Sequence, residues 1–448
     1  MTKITNTERI RFSKILYFKL YFLIYIKSCY KGVLRVMTSR NFLTIDDFDI
    51  RGKTILVRVD MNSPMDTQGH ILDDMRIRSH IATLKDLESA KVVLLAHQSR
   101  PGKNDFTIMK PHAHLLSRYL GRQVTYVDDI FGTFAKTQIA SMEDGDVIML
   151  ENVRFYSEES IERTPAEQAN TYLVKKLSPF VDIFLNDAFA VSHRSHLSVV
   201  GFTEILPSGA GRVMEKELIS LDIGVKGGER PSVFVLGGAK VDDSLRVTEN
   251  VLTNGGADRV LLTGVVANVA LAASGVDIGK ASMDFIKSQG YENQIERARG
   301  LLAKFKDKIG LPKDVALNDN KKRVEVPISE LNSDSLPIND IGLETIVDYT
   351  NEIQNSKTVV LNGPAGVSEI DDFALGTHEI IKAAIKSDFS IIGGGHISVE
   401  VAHLGLEHRF SHISTGGGAC IDYLAGEKLP GVEALKAAYK KYQEAKKL

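Results

Sequence analysis

The stretch "IIGGGHIS", residues 391–398, begins with two isoleucines, stops at three glycines and resumes with a histidine that opens a helical pattern. An apolar β-branched run that ends at glycine and leads into a helix is one strand-to-helix step. Glycines at such a turn let the main chain approach something closely. The same step recurs outward in both directions. Short apolar runs stand at 54–59 (TILVRV), 91–96 (KVVLLA), 124–127 (VTYV), 146–150 (DVIML) and 181–185 (VDIFL). Five more stand at 232–236 (SVFVL), 258–263 (DRVLLT), 357–361 (KTVVL), 389–392 (FSII) and 411–414 (SHIS). Most are continuous runs of valine, isoleucine and leucine, as expected of strands covered on both faces. Strands alternating with helices imply parallel sheets between helical layers, so the expected fold class is α/β.

The strands fall into a group before residue 190 and a group after 230. This predicts two lobes, each a mostly parallel sheet with helices on both faces, joined by an interdomain helix at 213–224 (VMEKELISLDIG). The expected division is an extension at 1–36, an N-terminal domain at 37–205, a C-terminal domain at 206–431 and a terminal helix at 432–448 (VEALKAAYKKYQEAKKL). Lysines crowd the end of that last helix, where cations suit the helix dipole. A single helix is also predicted over 164–177 (TPAEQANTYLVKKL). Thr164 is its N-cap, Pro165 its first residue and Glu167 completes a capping box. Ala166, Ala169, Leu173 and Leu177 share one face at helical spacing, and Pro179 prevents continuation.

Composition narrows the function. Of 448 residues, 43% are apolar and 25% charged, ordinary values for a globular chain with a large core. The formal charge of −2 points neither to nucleic acid nor to a membrane surface. The two cysteines, Cys29 and Cys420, form no C-x-x-C, which argues against a disulfide framework or zinc knuckle and fits a reducing, cytoplasmic setting. The run "ILYFKLYFLIYI" (15–26) is apolar and aromatic but interrupted by Lys19 and shorter than the roughly 20 residues a spanning helix needs. Residues 1–36 therefore read as an overlong start or a disordered extension, and "MTSRNFLTIDDF" from Met37 as the natural beginning of a domain.

In an open α/β sheet, ligands sit beyond the carboxyl ends of the strands. The two halves differ in what they place there. The second half offers "GGAK", "GVVAN", "NGPAG", "GGGH" and "TGGGA". Any one cluster is explained by a tight turn. Five in one lobe suggest a ligand cradled by main-chain N–H groups and helix N-termini, which means phosphates. There is no G-x-x-x-x-G-K-[ST] and no clean G-x-G-x-x-G with a following acid, so neither a Walker-type site nor a dinucleotide site is expected. The first half instead offers Arg76, His97, Arg100, Arg154, His193 and Arg194 at or near strand ends. Any one of these arginines alone could be a surface salt bridge. Guanidinium groups converging on one cleft suit a small anion bearing carboxylate and phosphate, each charge-assisted bond contributing about 1.5–3 kcal/mol. A zinc reading of His193 and His196 lacks further ligands at suitable spacing.

The pieces "RVDMNSP", "DDMRI", "HQSRPG", "LLENVRF", "NDAFAVSHRSH", "GGAKVDDS", "NGPAGV", "IIGGGH" and "HISTGGGA", in this order, resemble the phosphoglycerate kinases. The likeness runs from Met37 to about Val432, and "GGAK", "LTGVVAN" and "GGGH" resemble the archaeal branch. The resemblance implies a phosphotransferase of glycolysis and gluconeogenesis that moves a phosphoryl group between ATP and the carboxylate of 3-phosphoglycerate, giving ADP and 1,3-bisphosphoglycerate, with Mg2+ as cofactor. It implies no nucleic-acid or membrane partner and a monomer or small homo-oligomer. By motif, Asp60, Asn62, Arg76, His97, Arg100, Arg154 and Arg194 match positions that hold 3-phosphoglycerate, with His193 beside them. Lys240 matches a lysine on the nucleotide phosphates, while Gly238, Ala239 and Gly264 match backbone around the adenine pocket. Glu369 matches a ribose contact, and Gly393, Gly394 and Gly395 the glycines under the phosphates. Arg76 and Lys240 are the residues expected to meet transition-state charge.

Two positions depart from the pattern of many relatives. Ser244 stands where a second lysine would aim at the transferring group, and His396 where an aspartate would bind Mg2+. Mg2+ prefers oxygen. The expectation is that His396 meets a phosphate or a water, that the metal is held mainly by phosphates and water, and that Asp242 or Asp243 helps from the outer shell. The competing reading is a phosphometabolite-binding protein on the same fold without catalysis. Hinge motion is expected around 190–225.

Overall fold

The computed structural model describes residues 40–226 and 228–446. The expectation for the extension at 1–36 lies outside the described residues. The strands are, in chain order, β1 (Thr54–Arg58), β2 (Lys91–Leu95), β3 (Thr125–Val127), β4 (Val147–Leu150), β5 (Ile183–Asn186) and β6 (Ser208–Ala210). They continue with β7 (Ser232–Leu236), β8 (Arg259–Leu262), β9 (Ile309–Gly310), β10 (Asp314–Asp319), β11 (Lys322–Pro327), β12 (Ile338–Ile341), β13 (Thr358–Asn362), β14 (Phe389–Gly393) and β15 (His412–Ile413). One six-stranded sheet has the order β3-β4-β2-β1-β5-β6 and another β15-β14-β13-β7-β8-β9. Their strand pairs are all parallel. Each of the ten apolar runs contains a strand.

Burial explains why these runs lack polar alternation. In the first sheet Ile55, Val57, Val92 and Leu94 pack on one helical layer with Leu84 and Leu116, while Leu56, Val93 and Ile148 pack on the other with Leu173 and Leu177. The second sheet repeats the plan. Phe234, Leu236, Val260 and Val360 face one layer, and Val233, Val235, Leu261 and Val359 face the other. Each such side chain contributes about 1.5–3 kcal/mol by leaving water.

Three features differ from expectation. The helix over 164–177 is two short helices, Pro165–Ala169 and Tyr172–Leu177. The Thr164–Glu167 capping box forms. The chain then turns because Thr171 Oγ1 donates to the Gln168 carbonyl at 2.6 Å, a local bond that competes with the helical ladder. Gln168 is buried instead of Ala166, its amide donating to the Ile161 and Ser195 carbonyls at 2.7 Å each. Second, β6 extends the first sheet beyond residue 205. Third, β11-β10-β12 form a small antiparallel sheet in the second lobe.

The connector helix spans Arg212–Lys226. Its Met214, Leu218 and Leu221 belong to the second lobe's core, which also takes in Phe42, Phe189 and Ala210 from the first. The terminal helix, Pro430–Ala445, turns back to the first lobe. Ala434 packs with Val191, Val199 and Val200, and the Tyr442 ring meets Phe48 edge-on at 6.5 Å.

Candidate active site

A cavity of about 370 Å³ lies where the lobes meet. Asn62, Arg76, His97, Arg100, Arg154, His193 and Arg194 line it from the first lobe, and Gly416, Gly417 and Gly418 from the second. The sequence-predicted basic set is thus gathered in one place, with Asp60 just behind it. Arg76 Nη1 donates to Asp60 Oδ2 at 2.7 Å, and the other Asp60 oxygen accepts the Asn62 amide at 3.2 Å. Asp60 therefore orients the guanidinium. Arg100 is aimed by strain at its neighbour. Ser99 has φ +57°, rare for a residue with a Cβ. Three bonds hold it there. Its amide donates to Asn62 Oδ1 (2.7 Å), its hydroxyl to Asp105 (2.5 Å), and its carbonyl accepts from Arg154 Nη1 (2.6 Å).

Two further residues complete the cluster. Arg58 is buried inside β1, where its Nη2 lies 3.2 Å from His97 Nδ1 and its Nε donates to Ser198 Oγ at 2.8 Å. A guanidinium only donates, so His97 Nδ1 accepts and Nε2 carries the proton. Burial, then Arg58 and Arg154, holds the His97 pKa well below the usual histidine value. His196 is pushed down to about 3 by burial and then by Arg154 and Arg194. His193 is lowered by burial and Arg194, and its Nε2 accepts from Arg194 Nε at 3.2 Å. Arg154 is itself lowered to about 10 by burial and then Arg194. The site is a crowd of guanidinium groups interleaved with neutral imidazoles. Arg58 escapes a reading of strand ends because it lies within a strand.

A second cavity, of about 240 Å³, opens in the second lobe. Gly238, Ala239, Gly264, Glu369 and His396 line it, with Val265, Phe285, Ile338 and Pro364 among its apolar walls. Gly264 has φ +57°, and a Cβ there would sit 2.7 Å from the Gly238 nitrogen. Lys240 is exposed at the N-cap of the helix Val241–Thr253, outside that cavity wall. Gly393, Gly394 and Gly395 also lie outside the wall, at the end of β14 and the start of the helix Gly395–His403. Gly394 has φ +92°. Beside them Asn362 ends β13, buried, its Nδ2 without a hydrogen-bond partner among the described residues. A Cβ on Gly393 would come within 3.0 Å of that nitrogen. The asparagine of "NGPAG" was the signal for it.

The two departures have structural consequences. Ser244 is buried in the helix Val241–Thr253, so its position faces packed protein. Asp242 is paired with Arg297 (2.9 Å) and Arg246 (3.3 Å), and Asp243 with Arg246 (2.7 Å). Among the described residues no group of three His, Cys, Asp or Glu side chains is placed to hold a metal ion.

The model of the family "Phosphoglycerate kinase" matches residues 45–427. The phosphoglycerate kinase of Methanosarcina mazei is 94% identical over 416 residues, covering 93% of this chain and all of that protein. The phosphoglycerate kinase of Methanothermobacter thermautotrophicus is 53% identical over 405 residues, 90% of this chain and 98% of its own. Among solved structures, the phosphoglycerate kinase of Pyrococcus horikoshii superposes with a TM-score of 0.81 at 41% identity, over 89% of this chain and all of that one. That of Coxiella burnetii gives 0.76 at 30% identity, over 88% and 99%. The chain belongs to the phosphoglycerate kinase family, of the archaeal type.

Proposed function

We infer that the protein transfers a phosphoryl group reversibly between ATP and the carboxylate of 3-phosphoglycerate. The observation that carries this reading is the basic cavity whose wall is shared by both lobes. A carboxylate with a pKa near 4 is ionised at neutral pH and needs no general base. The obstacle is repulsion between an anionic acceptor and a polyanionic donor. Positioning and positive charge must do the catalysis. Arg76, Arg100, Arg154 and Arg194 supply fixed charge for the acid, with Asn62 beside them. His97, neutral with its proton on Nε2, supplies a donor that does not compete for a proton, and His193 stands at the rim. Arg76 turns to the transferring group.

The nucleotide belongs in the second lobe. Gly238, Ala239 and Gly264 present main chain to the base, Glu369 meets the ribose, and Gly393–Gly395 offer amides to the phosphates at a helix N-terminus. Lys240, exposed and outside the base cavity, reaches the phosphates, and His396 donates to a phosphate or a water. Mg2+ enters with the nucleotide. The donor set fits a metal held by phosphates and water, since Asp242 and Asp243 are already engaged by arginines. When bound it supplies charge neutralisation. Closure of the lobes about the connector helix brings the substrates together and excludes the water that would otherwise accept the phosphoryl. A free buried Cys420, and the absence among the described residues of a helix able to cross a membrane, support a cytoplasmic setting.

A coupled assay with ATP, Mg2+ and 3-phosphoglycerate tests the reading. Turnover is expected, lost when any one component is left out. Tight binding of both substrates without turnover would instead favour a binding protein.

A further inference from the structure

We infer that His80, Thr83 and Asp187 form a positioning relay that ties the Arg76–Asp60 pair to the N-terminus of the connector helix. It rests on the reading that Arg76 takes the acid. A helix N-terminus leaves amides without intrahelical partners, and here side chains from the first lobe take them. The Arg212 amide donates to Thr83 Oγ1 at 2.9 Å. The Val213 and Met214 amides donate to Asp187 Oδ1 at 2.8 and 3.3 Å. The approach is close by construction, since a Cβ on Gly211 would lie 2.2 Å from that oxygen. A carboxylate there also suits the positive end of the helix dipole.

The other Asp187 oxygen faces the substrate site. It accepts from Thr83 Oγ1 and from His80 Nδ1, both at 2.7 Å. His80 sits at the junction of two short helices, Met75–Ser79 and Ile81–Asp86. Its Nε2 meets the main chain of Asp60 at 3.0 Å. Asp60 in turn holds Arg76. The hydrogen bonds run unbroken from Arg76 to the connector helix, and His80, Thr83 and Asp187 are all fully buried. In that setting a broken link leaves a buried group unpaired, so a shift at one end either reaches the other or loses a bond. The connector helix is packed into the second lobe's core, and it is the element that both lobes bias. Movement of Arg76 and Asp60 on binding the acid is thereby passed to the helix about which the lobes close.

The test separates binding from turnover. Calorimetry gives the Kd of 3-phosphoglycerate alone, the coupled assay gives kcat at saturation, and thermal unfolding checks the fold. His80→Phe keeps bulk and removes both ring nitrogens. It is expected to lower kcat about tenfold while the Kd changes less than about threefold. His80→Gln, which still donates and accepts, recovers part of the loss. Thr83→Val, nearly isosteric, should show the same split at about threefold in kcat, and it decides the matter alone if His80→Phe does not fold. A folded variant of either kind with normal kcat overturns the relay, as does a Kd that worsens as much as kcat falls. Failure of the unaltered protein to bind 3-phosphoglycerate overturns the site reading and the relay with it.

Discussion

His412 Nε2 lies 2.8 Å from Glu217 Oε2, and both side chains are buried where the connector helix meets the second sheet. Glu217 Oε1 accepts from the amide and the hydroxyl of Thr415, at 2.7 and 3.0 Å. One carboxylate thus fixes the segment that leads directly into Gly416, Gly417 and Gly418, the second lobe's share of the basic cavity. The wall offered to the acid is set by a residue of the helix between the lobes.

Removing that carboxylate strands three partners. Glu217→Ala should destabilise the protein by about 3 kcal/mol, the usual size of the loss when one member of a buried pair is removed. Glu217→Gln keeps an oxygen for Thr415 and should cost about 1 kcal/mol. Urea unfolding followed by circular dichroism measures both. Equal midpoints for the alanine variant and the unaltered protein would show that the contact is not formed in solution.

Arg76→Ala should lower kcat by about 10²–10³, the range found when one preorganised charge donor to a transition state is deleted. Asp60→Asn weakens the 2.7 Å pair that aims this guanidinium but leaves the charge present, so its loss should be smaller. Steady-state kinetics at saturating ATP ranks the two. Near-normal turnover in Arg76→Ala would remove it from the transition state.

Legibility in the sequence followed burial. All ten runs seen as strands are sheet strands because a parallel strand covered on both faces writes itself as unbroken Val, Ile and Leu. β11 (KRVEVP) is largely exposed and charged, and β6 and β9 are only three and two residues long, so none of them carried that signature. The basic residues at strand ends were legible because topology requires a ligand there. Arg58 was not, since its charge sits within a strand and is offset by contacts from Ser198 and Glu159, far away in sequence. The break after Ala169 was hidden because it depends on Gln168 bonding to two distant carbonyls.

Gly416 is a test of how tightly the lobes pack. A Cβ there would stand 2.5 Å from Phe189 Cε1, and Phe189 is a buried ring of the first lobe. The ring cannot retreat, because it is enclosed in the core the lobes share. Gly416→Ala should therefore destabilise by about 1–3 kcal/mol, as overpacking does. It should also raise the KM for 3-phosphoglycerate, because the displaced backbone lines the acid's cavity. Unchanged KM and unchanged unfolding would show that the lobes sit further apart in solution.

The first lobe should be acid-labile for a reason that one histidine isolates. His112 is fully buried, its Nε2 donating to Gln98 Oε1 at 3.0 Å and its Nδ1 without a partner. Burial pushes its pKa from 6.5 down to about 4. The unfolded chain then binds the proton more readily than the folded one between those values. The stability His112 contributes is fully present above pH 6.5 and is lost as pH falls toward 4, by up to about 3 kcal/mol. Gln98 extends the consequence to the site, because its Oε1 also accepts the Ser63 amide and its Nε2 holds the Ser63 carbonyl. His97 and His196, lowered in the same direction, add to the slope. Urea midpoints at pH 7 and pH 4.5 measure it. His112→Gln, which cannot titrate, should flatten the dependence in that window even if its stability at pH 7 is lower. An equally steep dependence in that variant would assign the acid lability to other groups.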